Sequence, residues 1–207
     1  MITVHHLNNS RSQRVLWMLE ELELPYTIRR YERDKATMLA PPELRAVHPL
    51  GKSPVIEDEG LVIAESGAIV EYLVEKAGGR MGAPQDRAGA LRYRMFVHYA
   101  EGSVMPPLLL KLVMSRVPIM GKIALKRIQP MIDVHLDYIE SELAMRPWFA
   151  GEDLTAADVM MSFPLEAARS RAGLDTSRPH TIDWLDRVQA RPAYQRALAA
   201  GGPYAYA

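Results

Sequence analysis

The chain has 207 residues with 25 basic and 25 acidic side chains, so its formal net charge is zero. A balanced charge without a basic run argues against nucleic-acid binding. No apolar stretch approaches the roughly 20 residues that a membrane-spanning helix needs, and the N-terminal residues lack a signal-peptide pattern. We therefore expect a cytoplasmic globular protein that binds neither nucleic acid nor membrane.

The sequence contains no cysteine. This excludes disulfides, thiolate metal sites and a protein thiol nucleophile. His5 and His6 are neighbours in a predicted strand, where adjacent side chains point to opposite faces, so one ion cannot readily bind both. We predict no metal site, and any sulfur chemistry has to use a sulfur atom brought by a ligand.

The first 78 residues predict the order βαβ-α-ββ-α. In the first helix, Val15, Leu19 and Leu22 recur at i, i+4 and i+7, the spacing of one buried helical face. The predicted elements are a strand at 2–7, a helix at 12–23, a strand from Tyr26, a short helix within 34–47, strands at 55–57 and 61–64 around a turn at 58–60, and a helix from Ser66 to Gly78-Gly79.

Strand-like alternation disappears after about residue 80, and helical spacing continues to the end of the sequence. The Gly- and Pro-containing stretch 79–86 is typical of a linker. We therefore predict three parts: an α/β domain at 1–78, the linker at 79–86, and an all-helical domain at 87–207.

Two polar stretches in the first domain suggest a ligand site. Pro54 in "GKSPVI" either only starts a strand or follows a cis Ser53–Pro54 bond, and such a bend can leave the backbone of Ser53 free to pair with an extended peptide. Glu65 and Ser66 precede an apolar helix. They form either a simple helix cap or a site for a ligand that carries both an ammonium and a carboxylate.

A third stretch, "DLTAADVMMSF", has the pattern of a strong helix start. Thr155 at the N-cap has Asp158 three residues later, and Leu154 and Val159 have the spacing of a hydrophobic staple. We interpret this stretch as structural.

Taken in this order, "SPV", "ES" before an apolar helix, and "LTAAD" resemble the cytosolic glutathione S-transferases. The tail "WLDRVQARPAYQRAL" is also similar to the closing helix of that superfamily, and "SRSQRVLWMLEELELPY" resembles a fungal and bacterial branch of the serine or asparagine type. The resemblance covers nearly the whole chain. It implies a thioredoxin-like N-terminal domain, an all-α C-terminal domain and a homodimer.

The resemblance also implies that the protein binds glutathione as a co-substrate, with no permanently bound cofactor, and stabilises its thiolate. Residues 7–17 contain neither the tyrosine nor the cysteine that other classes use. The candidate donors to sulfur are therefore Ser10 and Asn9: alignment on Arg14-Val15 favours Asn9, and the commoner serine classes favour Ser10. Ser12 fits better as the cap or the first residue of the helix, so it ranks third as a donor and is counted among the glutathione-binding residues.

The implied glutathione-binding residues come from four stretches, and a second group would line the cleft for the other substrate. Ser53 and Pro54 would pair with the cysteinyl part, and Glu65 and Ser66 would hold the γ-glutamyl ammonium and carboxylate. Lys52 and Lys35 would meet the glycyl carboxylate, unless they are solvated surface residues, and Arg11 is a further cation. The predicted cleft residues on the helical side are His98, Tyr99, Glu101 and Met105, all of which also suit a packed helix face.

The leading functional hypothesis is a glutathione S-transferase that adds the thiolate to small hydrophobic electrophiles, as in detoxification. The alternatives are a glutathione-dependent peroxidase or disulfide reductase, favoured if Asn9 contacts sulfur, and a non-catalytic glutathione-binding scaffold. No residue pattern identifies the electrophile.

Overall fold

The computed structural model of the protein describes residues 1–206. They divide into two compact units, one formed by residues 1–82 and 189–205 and the other by residues 83–188 and Tyr206. In chain order the elements are β1 (Ile2–Leu7), α1 (Ser12–Glu21), β2 (Tyr26–Tyr31), α2 (Glu43–Val47), β3 (Val55–Asp58), β4 (Leu61–Ala64), α3 (Ser66–Lys76), α4 (Arg87–Tyr99), a π-helical segment (Ala100–Val104), α5 (Met105–Met114), α6 (Met120–Leu143), α7 (Ala156–Arg171), α8 (Pro179–Gln189) and α9 (Pro192–Gly201).

The first unit contains a four-stranded sheet in the order β2-β1-β3-β4. Strand β1 runs parallel to β2 and antiparallel to β3, where His5 lies opposite Val55. Strand β4 is antiparallel to β3, and Ala64 lies opposite Val55. The last residues of β1 and β4 and the first residue of β3 therefore meet at one end of the sheet. The predicted order βαβ-α-ββ-α is confirmed.

Helix α1 and strand β3 end one or two residues away from their predicted bounds, and α3 ends at Lys76, just before Gly78-Gly79. Helix α1 ends at Glu21 rather than residue 23, because Glu23 has φ 53 and cannot continue a right-handed helix. Strand β3 includes Asp58, which was predicted to begin the turn. Its carboxylate is buried and accepts a hydrogen bond from Tyr72 Oη at 2.9 Å, so the turn is reduced to Glu59 and Gly60.

Helix α1 is buried over its eight residues from Ser12 to Leu19. An amphipathic surface helix exposes one face, but here β1, α3 and α9 all contact α1. The rings of Trp17 and Tyr194 meet edge to face with centroids 5.6 Å apart. A Cβ atom at Gly201 of α9 would contact the side chains of Gln13 and Leu16, so glycine favours the close approach of the two helices.

An ion pair also holds α9 against α1. The Arg191 guanidinium donates to both carboxylate oxygens of Glu21, at 2.5 and 2.9 Å. These contacts explain why residues 189–205 belong to the first unit. The predicted division at 78 and 87 remains a prediction about where independently folding domains begin and end.

The second unit is built from helices α4 to α8, and its core includes the predicted cap. Helix α7 begins at Ala156 with Thr155 at the N-cap, as expected. Asp158 is fully buried and accepts hydrogen bonds from the backbone N–H and hydroxyl of Thr155, the N–H of Phe149 and Nε1–H of Trp184, at 2.9 to 3.3 Å. Burial raises the pKa of Asp158 to about 6 in spite of these four donors. Asp158 thus joins the start of α7 to the preceding loop and to α8.

Residues 1–206 lack the features of two other classes of protein. No helix within them is both long and apolar enough to cross a membrane. They also contain no group of three or more His, Asp or Glu side chains placed to hold a metal ion.

We expect two substitutions in the cap of α7 to lower the free energy of unfolding by different amounts. Thr155→Ala removes one hydroxyl and should lower the free energy of unfolding by about 1 kcal/mol. Asp158→Ala leaves four donors without their acceptor and should cost about 3–5 kcal/mol. Urea denaturation followed by circular dichroism measures both effects. Asp153→Ala, which changes an exposed carboxylate just before the cap, should stay within about 0.5 kcal/mol of wild type. Equal losses for Thr155→Ala and Asp158→Ala would contradict the central role given to the carboxylate.

Candidate functional site

The corner between β1 and α1 contains the two candidate donors to sulfur. Asn9 adopts a left-handed backbone conformation with φ 49, and Ser10 is buried. Ser12 is the first residue of α1 and is also buried, as its predicted place at the helix start requires. The backbone N–H of Ser10 has no acceptor among the described residues, so the corner presents an unpaired donor beside a helix N-terminus.

A chain of hydrogen bonds runs through the interior of this corner. Ser10 Oγ lies 2.8 Å from Ser12 Oγ, which lies 2.9 Å from Nδ1 of His6. The next oxygen beyond Ser10 is Oγ of Ser53 at 3.4 Å, and the Ser53 hydroxyl donates to the carbonyl of His5 at 3.0 Å. The chain connects the end of β1, the start of α1 and the residue before Pro54.

The Ser10 hydroxyl is engaged within this network of hydrogen bonds. Burial lowers the pKa of His6 to about 4, so its ring is neutral at pH 7. Besides its contacts with the hydroxyl oxygens of Ser12 and Ser53, Ser10 Oγ accepts a hydrogen bond from the backbone N–H of Ser12 at 3.2 Å. Ser10 Oγ thus has three hydrogen-bonding contacts within the protein.

The side chain of Asn9 differs from that of Ser10 because only its oxygen is hydrogen-bonded within residues 1–206. Its side-chain oxygen accepts a hydrogen bond from the backbone N–H of Ala205 at 2.8 Å, which fixes the orientation of the amide. The side-chain NH₂ group donates to no other residue within 1–206, and the side chain is half-buried. Of the two candidates, Asn9 therefore has the donor that is free to meet a ligand.

The Ser53–Pro54 peptide bond is cis, which is one of the two arrangements considered for this stretch. Neither the backbone N–H nor the carbonyl of Ser53 pairs with another described residue. An extended ligand can therefore use both groups in the manner of an added strand.

The Glu65–Ser66 stretch departs from the expected cap. Ser66 is the first residue of α3 and not its N-cap, a position that Glu65 occupies without a side-chain capping bond. Glu65 has φ 70 and ψ 126, a conformation that costs a non-glycine residue about 1–3 kcal/mol and is found mostly at functional sites. Its carboxylate is exposed, and the buried Ser66 hydroxyl has no hydrogen-bond partner within residues 1–206.

The sheet brings these three stretches together. Asn9 and Ser10 follow β1, Ser53 lies just before β3, and Glu65 and Ser66 follow β4, all at the same end of the sheet. Lys35 lies beyond the end of β2, which is parallel to β1, and is exposed, as is Lys52. Arg11 is half-buried just before α1. The predicted glutathione-binding residues thus lie around one end of one sheet.

The predicted cleft residues of the helical unit lie around the π-helical segment. His98 is exposed, Glu101 is half-buried and Met105 is buried. The Tyr99 hydroxyl lies 2.6 Å from Nδ1 of His135, and burial raises the pKa of Tyr99 to about 12. Their contact with a second substrate remains a prediction.

Two features, one in each unit, are not predicted by the sequence. His6 is weighed above only as a metal ligand, although a histidine next to the end of a buried strand, just before a polar loop, is a recognisable signal for a hydrogen-bonding partner of that loop. The π-helical segment Ala100–Val104 has no such signal, because a helix with one inserted residue keeps nearly the same apolar spacing.

Comparison with known proteins decides the family. Residues 10–76 match the family model described as glutathione S-transferase, N-terminal domain, and residues 105–192 match the corresponding C-terminal domain. Glutathione S-transferase 3 of Schizosaccharomyces pombe is 38% identical over 93% of this chain and 85% of its own length. The chain belongs to the glutathione S-transferase family. The resemblance stated from its motifs is therefore confirmed.

Other members of the family extend this comparison. Glutathione S-transferase 1 of Saccharomyces cerevisiae is 32% identical over 99% of this chain and 98% of its own length. A crystal structure of a glutathione S-transferase from Actinobacillus pleuropneumoniae superposes with a TM-score of 0.88 at 31% identity, covering 100% of this chain and 95% of the other. A relative with a different name, the disulfide-bond oxidoreductase YfcG of Escherichia coli, is 28% identical over 96% of this chain and 94% of its own.

The neutral state of His6 predicts a pH dependence of stability. Because folding lowers its pKa from 6.5 to about 4, stability that is present above pH 6.5 is lost as the pH falls through this interval, by at most about 3 kcal/mol. Urea denaturation at several pH values should show a shallower loss for His6→Gln than for wild type. His180→Gln, at an exposed histidine, should keep the wild-type slope. A His6→Gln slope equal to that of wild type would show that His6 does not contribute.

Proposed function

We propose that this protein is a glutathione transferase in which the side-chain amide of Asn9 donates a hydrogen bond to the thiolate of bound glutathione. The observation that carries the proposal is the free NH₂ group of Asn9, held in place by the bond from Ala205 to its oxygen, at the end of the sheet where Ser53, Glu65 and Ser66 also lie. The comparisons support the family, and the role of each residue is our proposal.

The chemistry of the site suits a thiolate. A helix N-terminus favours negative charge, and such settings lower the pKa of a thiol from about 8.5 into a range of roughly 3.5–7.5. A hydrogen bond to a charged acceptor contributes about 1.5–3 kcal/mol. The thiolate sulfur attacks an electrophilic carbon and forms the carbon–sulfur bond, while the leaving group departs with its electron pair. The protein supplies the anion at neutral pH and holds it close to the acceptor.

The rest of glutathione would bind as the motifs predict. The free N–H and carbonyl of Ser53 would pair with the cysteinyl backbone beside Pro54. The Ser66 hydroxyl and the start of α3 would hold the γ-glutamyl carboxylate, and Glu65 its ammonium. Lys35, Lys52 and Arg11 are the cations proposed for the glycyl carboxylate.

A second function is favoured by the same observation. An amide donor can stabilise a thiolate without itself becoming a nucleophile, so the site also suits disulfide reduction with two glutathione molecules. The first thiolate attacks the disulfide and releases one thiol. The second glutathione then attacks the mixed disulfide, releasing the other thiol and oxidised glutathione. The named activity of YfcG adds weight to this candidate, and peroxide reduction would consume two glutathiones in the same way.

We also propose a contact surface for the second substrate and a dimeric state. The second substrate would meet His98, Tyr99, Glu101 and Met105, and the protein would act as a cytoplasmic homodimer. Exposed apolar side chains on β4 and α4, namely Leu61, Val62 and Leu91, are consistent with an interface between two copies. A monomeric mass in light scattering would contradict the dimer.

Replacing the two candidate donors separately tests the mechanism. Asn9→Ala should raise the pKa of bound glutathione by about one to two units, because a charge-assisted hydrogen bond is lost. It should lower kcat/KM by about 10- to 100-fold at neutral pH. Ser10→Ala should change the thiol pKa less. The ultraviolet absorbance of the thiolate, titrated against pH, measures the pKa.

Asn8→Ala provides a matched control. Its side-chain oxygen accepts from the N–H of Arg33 at 2.9 Å and is already engaged within the protein, so the thiol pKa should not change. A larger shift in Ser10→Ala than in Asn9→Ala would make Ser10 the donor. No shift in either variant would refute the mechanism. Measuring the reaction rates of the wild-type protein with an aryl halide and with a small disulfide distinguishes conjugation from disulfide reduction.

A separate prediction concerns glutathione binding. Glu65→Ala and Ser66→Ala should each raise the Kd for glutathione about tenfold, because each loses a polar contact to the γ-glutamyl group. Isothermal titration calorimetry measures the change. Glu71→Ala removes an exposed carboxylate from the same helix and should leave the Kd unchanged. If wild-type protein does not bind glutathione at millimolar concentration, both enzymatic functions are wrong.

A further inference from the structure

The charges of this neutral chain are unevenly distributed. Between Glu101 and Asp133 the sequence has no acidic residue, whereas its basic residues there are Lys111, Arg116, Lys122, Lys126 and Arg127. The remainder of the chain is therefore net acidic. The basic residues are interspersed with apolar ones, so they do not form a run that stands out in the sequence.

The same stretch exposes large apolar side chains. We call residues 109–127 the basic hairpin: it comprises the second half of α5, the connecting loop and the first two turns of α6. Its exposed apolar residues are Leu109, Leu110, Val113, Val117, Ile119, Met120 and Ile123. Ile119 and Met120 at the tip are 77% and 64% exposed. A cluster of this kind is typical of an interaction surface and not of an ordinary solvated loop.

The start of α6 shows how the two kinds of side chain are arranged. Gly121 and Ile128 face inward and are buried, whereas Met120, Lys122 and Ile123 are exposed, as are the following Lys126 and Arg127. Exposed apolar side chains flanked by basic ones on the same helix are the pattern of a helix that lies in a membrane interface.

We propose that the basic hairpin docks on an anionic membrane surface. The apolar side chains at the tip would enter the boundary between headgroups and acyl chains, and the basic side chains would meet lipid phosphates and carboxylates. Charge complementarity is the argument for lipid: the hairpin has five basic residues and no acidic one, so an anionic surface attracts it, whereas the net acidic remainder of the chain is not attracted.

Surface docking would make a membrane a partner of the protein, contrary to the expectation from its sequence. The lack of a spanning helix, on which that expectation is based, does not argue against docking, because docking needs no such helix. Exposed apolar side chains at the tip, such as Ile119 and Met120, also suit a deformable lipid surface, which needs no preformed pocket.

Sedimentation of the full-length protein with lipid vesicles tests the proposal. Binding to phosphatidylcholine vesicles containing about 30% phosphatidylserine should be at least about tenfold tighter than to phosphatidylcholine alone, and should weaken at about 0.5 M salt. Ile119→Ser/Met120→Ser should lower the affinity about tenfold or more, because both side chains lose their apolar burial. Lys122→Ala/Lys126→Ala/Arg127→Ala should remove most of the preference for anionic vesicles.

Matched controls keep the test specific. Val134→Ser/Met145→Ser changes one side chain of α6 and one just beyond its C-terminal end, 68% and 63% exposed and outside the hairpin. Arg87→Ala/Arg94→Ala removes two exposed charges from α4. Both should bind vesicles as wild type does. Absence of binding to anionic vesicles, or equal losses in the hairpin and control variants, overturns the proposal. So does a lower oligomeric mass for Ile119→Ser/Met120→Ser in light scattering, since the surface would then join two copies of the chain.

Discussion

The burial of α1 is the constraint on which the site depends. A helix that is enclosed by the sheet, α3 and α9 cannot shift without disturbing the core, so its N-terminus is held in a fixed place relative to the strands. The hydrogen bonds from His6 through Ser12 to Ser10 lock the corner that precedes it. The cost is that polar side chains are enclosed as well: both polar atoms of the buried Gln13 amide lack a hydrogen-bond partner within residues 1–206. Rigidity at the corner is thus obtained at some expense of stability.

Much of the site consists of backbone groups. These groups depend on the path of the chain and not on side-chain identity. They are the free N–H of Ser10, the free N–H and carbonyl of Ser53 and the first amides of α3. Side chains add the selective contacts, and Asn9 and Glu65 both occupy conformations with positive φ. In the proposed function, this division would let a chain without cysteine use the thiolate of another molecule: the protein would hold the anion without supplying it.

The sequence predicts most of the local structure and only part of the site. Strand alternation, the i, i+4 spacing of α1 and the Thr155–Asp158 pattern are local signals, and each led to an element close to its observed bounds. The packing of α9 on α1 could not be predicted, because spacing shows that a helix has an apolar face but not which element covers it. The choice between Asn9 and Ser10 depends on contacts with Ala205, Ser12 and Ser53, which require coordinates.

The packing of α9 on α1 has a consequence for synthesis of the protein. The first unit consists of the beginning and the end of the chain, so it cannot be completed when residue 82 leaves the ribosome. At translation rates of roughly 5–20 residues per second, the surface of α1 that α9 will cover remains open for on the order of ten seconds. During that time the nascent chain exposes Trp17 without Tyr194, and it is a natural client for chaperones that recognise apolar surface.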